Sequence, residues 1–230
     1  MESLVSINNV AKSFGKKIVL DGVSLDINKG DICGLVGNNG AGKTTLMRII
    51  CGFESKNNGD IVYDKRLKIG SLIESPGLFG DMTAYDNLKL KAIANGIKFK
   101  KADGKKILTT VGLADVGRKL VSKFSYGMKQ RLGMGLALVG DPDFVILDEP
   151  INGLDPEGIN DVRNIILDVN KEKGTTFLIS SHILDELMKV VNRFVIIKNG
   201  KVVRDCSKDE FEKECNGEEL SSYYVKTYCE

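Results

Sequence analysis

Histidine is almost missing from this chain of 230 residues: His182, inside "LISSHILDE", is the only one. A lone imidazole is ordinarily a surface or satisfied core residue, so its role depends on what the rest of the chain brings beside it. An excess of charge is missing too. Thirty-three Lys and Arg stand against 31 Asp and Glu, a formal charge of +2, so no global field draws the chain to nucleic acid or to a membrane surface. Partners must come from local sites. The five cysteines form no C-x-x-C pair and show no metal-ligand spacing, which argues against a disulfide framework and for a reducing compartment. The opening "MESLVSINNV" has no basic region followed by an apolar stretch, so it does not read as a secretory signal. No window approaches the run of about eighteen apolar residues that a spanning helix needs. Internal repeats and low-complexity linkers are absent. The chain reads as a soluble, cytoplasmic protein, long enough for one large domain or a core with one or two inserted subdomains.

What is present is a change of pattern along the chain. Residues 4–10 and 18–27 alternate in hydrophobicity on either side of "KSFGKK", which suits an antiparallel sheet. "DICGLVG" then ends a short apolar run in glycine, and "KTTLMRIICG" has helical spacing at Leu46, Ile49 and Ile50 with Gly52 as a stop. Two more β pieces are expected near residues 61–63 and 69–73. Residues 83–139 are mostly helical in period and read as an inserted helical subdomain. Beyond them the pattern predicts a helix over about 157–169, a strand in "TTFLISS", a helix over 183–190, and a hairpin through "RFVIIKNGKVVRD" turning at Asn199 and Gly200. Strand and helix alternating in this way predict a parallel α/β sheet. The final "SSYYVKTYCE" has no assignable pattern.

Three apolar runs, at residues 32–36, 144–147 and 176–179, read as buried parallel strands, and each ends abruptly in small or polar residues. Ligands of open α/β sheets bind outside the carboxyl ends of the strands, so the residues after these runs should converge. The first ending, "GNNGAGKTT", matches G-x-x-x-x-G-K-[ST] between a predicted strand and a predicted helix. Its backbone at Gly37, Asn38, Asn39, Gly40, Ala41, Gly42, Lys43, Thr44 and Thr45 would form an anion nest at a helix start. Lys43 would reach the β- and γ-phosphates of a nucleotide, and the Thr44 hydroxyl would bind Mg²⁺. The second ending, "FVILDEP", puts Asp148 where it can hold Mg²⁺ and Glu149 where it can polarise a water; read alone, the two acids could instead cap the next turn.

From here the chain resembles, over essentially its full length, the ATPase subunit of an ATP-binding-cassette (ABC) transporter. "FSYGMKQRLGMGLALVGDPDFVILDEPINGLDPEG" is similar to that family's signature segment running into the second acidic motif and the D-loop. The resemblance implies a single domain over 1–230: a P-loop NTPase (RecA-like) parallel-sheet core, an N-terminal antiparallel β-subdomain, a helical subdomain inserted at about 76–140, and a tail from about 206. It implies that Ser125 and Gly127 bind the γ-phosphate of ATP held on a second subunit, which suits a helix start. Tyr126 and Met128 stand where the family has a glycine and a glutamine. Asp155, in "NGLD", matches the D-loop aspartate that couples two sites across a dimer. Phe14 matches the aromatic that stacks on adenine, with a buried Phe of the β-subdomain as the rival reading. Glu74, in "IGSLIESPGLF", stands where the family usually has a glutamine facing Mg²⁺ and γ-phosphate; a carboxylate still suits that hard cation. A glutamate here resembles the ATPases of lantibiotic and bacitracin immunity exporters, although a tolerated exchange is the alternative. His182 matches the switch histidine that hydrogen-bonds the γ-phosphate, and an orienting role is favoured, with Glu149 the base.

The resemblance thus implies MgATP hydrolysis in a head-to-tail homodimer or heterodimer driving a membrane permease on a separate chain, with the protein peripheral on the inner face of the membrane. Leu78, Phe79, Met82 and Tyr85 would be either an exposed docking patch or the helical subdomain's own core. Lys98, Lys100, Lys101, Lys105 and Lys106 would face anionic headgroups or simply water, the latter preferred. A clamp acting on ribosomes or chromosomes is the different-class alternative. It is disfavoured by the single cassette, by the lack of sustained heptads between Lys43 and Asp148, and by the presence of both Lys43 and Glu149; no nucleic acid is expected as a partner. The lack of an added C-terminal regulatory domain is taken to favour export over import.

Overall fold

The computed structural model describes residues 2–229. Two sheets organise it. The first is antiparallel, in the order β2-β1-β4, from β1 (Ser3–Phe14), β2 (Lys17–Asn28) and β4 (Asn58–Tyr63). The second has the order β5-β6-β7-β3-β8-β9, from β3 (Ile32–Val36), β5 (Ile69–Leu72), β6 (Phe144–Asp148), β7 (Thr176–Ser181), β8 (Arg193–Lys198) and β9 (Lys201–Ser207). Its first five strands run parallel and β9 returns antiparallel at the edge. β3, β6 and β7 are buried along their whole length, the reason their sequences carry continuous apolar runs rather than alternation.

Alternate residues of those strands feed two cores. Cys33, Leu35, Phe144 and Ile146 meet Val5, Ile7 and Leu20 of the antiparallel sheet, with α1 (Lys43–Ile50) contributing Leu46, Met47 and Ile50. Val36, Val145, Leu147 and Ile179 face the other way, onto the helices. These are α2 (Ala84–Ala94), α3 (Lys101–Thr110), α4 (Tyr126–Ala137), α5 (Pro156–Lys173) and α6 (Leu184–Met188). The helical stretch is three helices rather than one run, because Gly96 and Gly112, at φ of 67° and 65°, take the left-handed conformation that ends α2 and α3.

Several boundaries differ from expectation. α5 starts on the Asp155 cap, whose Oδ1 accepts the Gly158 N–H at 2.9 Å, and runs a turn beyond residue 169 to Gly174. α6 is shorter than residues 183–190. Ser181 Oγ accepts the Ile183 N–H at 3.0 Å before it, and Asn192 Oδ1 accepts the Ile32 N–H at 3.1 Å beyond it, which pulls the chain into β8. The tail from about 206 forms α7 (Lys208–Glu214), α8 (Leu220–Tyr224) and a closing turn, and its unassigned last stretch packs Tyr223, Tyr224 and Tyr228 on the helical side of the core. Cys33, Cys51, Cys206 and Cys215 are all free thiols. Burial pushes Cys33 up to about 12 and Cys51 and Cys206 up to about 11, so they stay protonated.

The apolar residues after Glu74 divide between the two readings. Phe79 is half exposed. Leu78 and Tyr85 pack against the core, Tyr85 with its ring 6.0 Å from Phe99. The five lysines of the basic run are exposed on α3 and the loop before it.

Candidate functional site

The loop from Gly37 to Gly42 requires its glycines. A Cβ on Gly37 would sit 2.4 Å from the Ile197 carbonyl oxygen. Gly42, at φ 109°, caps α1 in a conformation that L side chains avoid, with Leu20 and the Val19 carbonyl oxygen within 2.8 Å of any added Cβ. The chain can therefore turn tightly off β3 and start a helix at Lys43. The Lys43 ammonium folds back over the loop, donating to the carbonyl oxygens of Gly37 at 2.6 Å and Asn38 at 3.4 Å.

Register brings the other endings to the same place. Asp148 at the end of β6 pairs with Ser180 on β7, and Ser181 pairs with Val36 at the end of β3. Asp148 is buried, and its two carboxylate oxygens accept hydroxyl protons from Ser180 at 2.5 Å and Thr44 at 2.8 Å. It has no cation partner among the described residues. A buried carboxylate beside a threonine hydroxyl, both hard oxygen donors, fits a small divalent cation.

Glu149 follows at φ 49°, unusual for a residue other than glycine. The Ser180 hydroxyl, which donates to Asp148, accepts the Glu149 N–H at 2.9 Å and so holds that turn. One Glu149 oxygen lies 3.9 Å from the Lys43 ammonium; the other lies 2.7 Å from His182 Nδ1. The imidazole is neither a core residue nor an isolated surface one. It belongs to a connected chain of Lys43, Glu149, His182, Ser180, Asp148 and Thr44.

Other expected residues sit apart from that chain. Ser125 caps α4, its Oγ accepting the Met128 N–H at 3.3 Å. With exposed Tyr126, Gly127 and Asp155 it lines a separate cleft of about 510 Å³. Phe14 is 51% exposed at the end of β1, so the buried reading is overturned. Glu74, also at positive φ (63°), pairs through Oε1 with Arg48 Nη2 at 3.1 Å rather than with Thr44 or Asp148. It lies two residues past the Leu72–Leu147 pair, one strand away from the acidic ending.

Two structural participants escaped the sequence reading. Ser180 falls just after the third apolar run, and nothing beside it in sequence marks that it joins both acids. Gln130, buried in α4, donates from Nε2 to the Pro150 carbonyl oxygen at 3.0 Å, tying the Ser125 helix to the turn after Glu149. A polar residue on a buried helical face was its one signal.

The sequence profile of ABC transporters matches residues 20–152. The lantibiotic transport ATP-binding protein SrtF of Streptococcus pyogenes is 40% identical over 223 residues, which cover 94% of this chain and 93% of that protein. The chain belongs to the ABC transporter ATPase family. The bacitracin transport ATP-binding protein BcrA of Enterococcus faecalis is 37% identical over 93% of this chain and 72% of its own length. A solved ATP-binding cassette in its ADP conformation superposes with a TM-score of 0.85 at 26% identity, covering 98% of this chain and 99% of that one. The cassette is an ATP-binding, ATP-hydrolysing subunit of an ABC transporter, and the expected P-loop architecture with its antiparallel subdomain is the one observed. Among the described residues no helix is long and apolar enough to cross a membrane.

Proposed function

We propose that the cassette powers export of a peptide antibiotic through a separate membrane permease, as a self-protection pump, hydrolysing MgATP between two head-to-tail copies. The observation that carries the mechanism is the division of the site. Ser125, Gly127 and Asp155 line a cleft of their own, with no hydrogen bond or ion pair from them to the Lys43–Glu149–His182 chain among the described residues. A second copy supplies the missing half when its α4 N-terminus meets the γ-phosphate on the first.

In this reading the loop amides and Lys43 hold the β- and γ-phosphates. Thr44 and Asp148 would hold Mg²⁺, which would supply neutralisation of the phosphate charge. Glu149 accepts the proton of the attacking water. His182 donates from Nδ1 to Glu149, which orients the carboxylate, and when protonated donates from Nε2 to the γ-phosphate. Phe14 stacks on adenine. Binding closes the dimer and hydrolysis releases it, a two-state cycle that the permease reads.

The substrate class is supported by the likeness to the lantibiotic and bacitracin transport ATP-binding proteins of Streptococcus and Enterococcus and by Glu74. Deleting the cassette's gene is expected to raise sensitivity to lanthionine or bacitracin-type peptides several-fold. Growth-inhibition assays read this; unchanged sensitivity to both would remove the antibiotic reading and leave the ATPase intact. Glu74→Gln is expected to leave the isolated cassette's hydrolysis within about twofold, because it removes only an exposed ion pair worth under about 1 kcal/mol, while reducing protection in cells. Full protection by Glu74→Gln would strip Glu74 of any part in coupling.

A further inference from the structure

β1 ends in a buried cation that the nucleotide site does not use. Lys12, two residues before Phe14, is only 6% exposed. Its ammonium lies over the Phe14 ring, 4.8 Å from the centroid. It also donates to Glu54 Oε1 at 2.6 Å and to Ser55 Oγ at 3.3 Å. Burying an ammonium is costly unless it is paired and hydrogen-bonded, and an apolar side chain of similar volume is often no worse for stability. The charge calls for a role other than holding the fold.

Glu54 is itself fixed to the P-loop helix. Its N–H and that of Phe53 donate to the Arg48 carbonyl oxygen in the last turn of α1, at 3.3 and 2.8 Å. The hydrogen bond from Lys12 holds the Glu54 carboxyl below its usual range, which favours its charged form. Asn57 adds a second tie: its Oδ1 accepts the Ser13 N–H at 2.6 Å, and its own N–H donates to the Ala11 carbonyl oxygen at 2.8 Å. The end of β1 and the far end of α1 are thus one clamped unit, and the near end of α1 is the phosphate loop.

We propose that Lys12 is a positioning residue for the adenine platform: gripped by Glu54, it backs one face of Phe14 and fixes that ring at a set reach from the phosphate cradle. The inference rests on the reading of Phe14 as the adenine-stacking residue. Phe14 is exposed to solvent while Lys12 lies over its ring, which leaves the face away from Lys12 for the base. A cation behind the ring is attracted to its π-face and holds the ring in one orientation. A base stacking on the far side then meets a ring already ordered, at lower entropic cost.

Calorimetric titration with ADP and, separately, with inorganic pyrophosphate divides base recognition from phosphate recognition without turnover. Lys12→Met is expected to weaken ADP roughly fivefold and to leave pyrophosphate unchanged. In a Phe14→Leu background it should add nothing. Glu54→Gln, which keeps a hydrogen-bond partner for Lys12 without its countercharge, should move ADP in the same direction and serves if Lys12→Met folds poorly. Equal loss of both ligands, loss of neither, or an undiminished Lys12→Met effect in Phe14→Leu would overturn the proposal. A parent chain that binds pyrophosphate as tightly as ADP would overturn the adenine reading and this inference together. A parent that binds neither would overturn the nucleotide site itself.

Discussion

Glu149→Gln is expected to lower ATP turnover by about 10²- to 10⁴-fold, the range a positioned general base contributes, which is roughly 3–5 kcal/mol of barrier. Nucleotide binding should survive. The amide has the carboxylate's shape, its oxygen still accepts from His182 Nδ1, and the Glu149 N–H still donates to Ser180. The unusual φ of 49° is no worse for glutamine than for glutamate. What disappears is the negative charge 3.9 Å from Lys43 and the ability to take a proton from water. ATP that binds without being hydrolysed should hold two copies together, so the variant should run as a dimer with ATP and as a monomer without it in size-exclusion chromatography. The imidazole provides the internal comparison. If His182 were the base, His182→Ala would match Glu149→Gln in turnover; if it orients Glu149 and the phosphate, the loss should be smaller. Turnover near the parent rate in Glu149→Gln would end the base assignment.

Much of this site could be read before the fold was known, because its parts are local. A glycine loop between a buried strand and a helix, and two acids closing an apolar run, carry their structural context in the residues beside them. The same holds for the three core strands, whose two buried faces demand unbroken hydrophobicity. Legibility fails where a contact spans the chain. Nothing near Glu74 announces Arg48, which reaches it from the P-loop helix. Ser180 looks like one of two equivalent serines, and only the register that pairs it with Asp148 shows that it joins both acids. The length of α6 is set by Asn192 bonding to the start of β3, 160 residues away in sequence. The tail's tyrosines acquire meaning from Phe211, whose ring meets Tyr223 edge-on at 5.9 Å between centroids and lies tilted against Phe194 at 5.3 Å. Phe14 was ambiguous for the same reason: exposure is a property of the fold, not of its own neighbours.

Lys43→Ala should separate binding from chemistry from the opposite side. The ammonium is buried, and its direct contacts are two carbonyl oxygens of the loop and, more distantly, Glu149. Among the described residues its one carboxylate neighbour, Glu149, stands 3.9 Å away, so a triphosphate entering the loop would gain its charge at close range, where screening by water is weak. Removing it takes the only buried cation from the cradle and leaves Glu149 facing the incoming phosphates. Both changes oppose binding, and together they are expected to cost at least about 3 kcal/mol, roughly a hundredfold in ATP affinity. The fold should persist, since Gly42 still caps α1 and Leu46, Met47 and Ile50 still anchor it. Lys43→Arg is not a rescue: a planar guanidinium cannot replace a compact ammonium between the Gly37 and Asn38 carbonyls. Equilibrium dialysis with ATP and a thermal melt would read affinity and fold in parallel. Glu149→Gln should hold ATP and not turn it over, whereas Lys43→Ala should be folded and empty. ATP binding by Lys43→Ala within a few-fold of the parent would mean that the backbone amides alone form the cradle and that the lysine's charge acts only later, in hydrolysis.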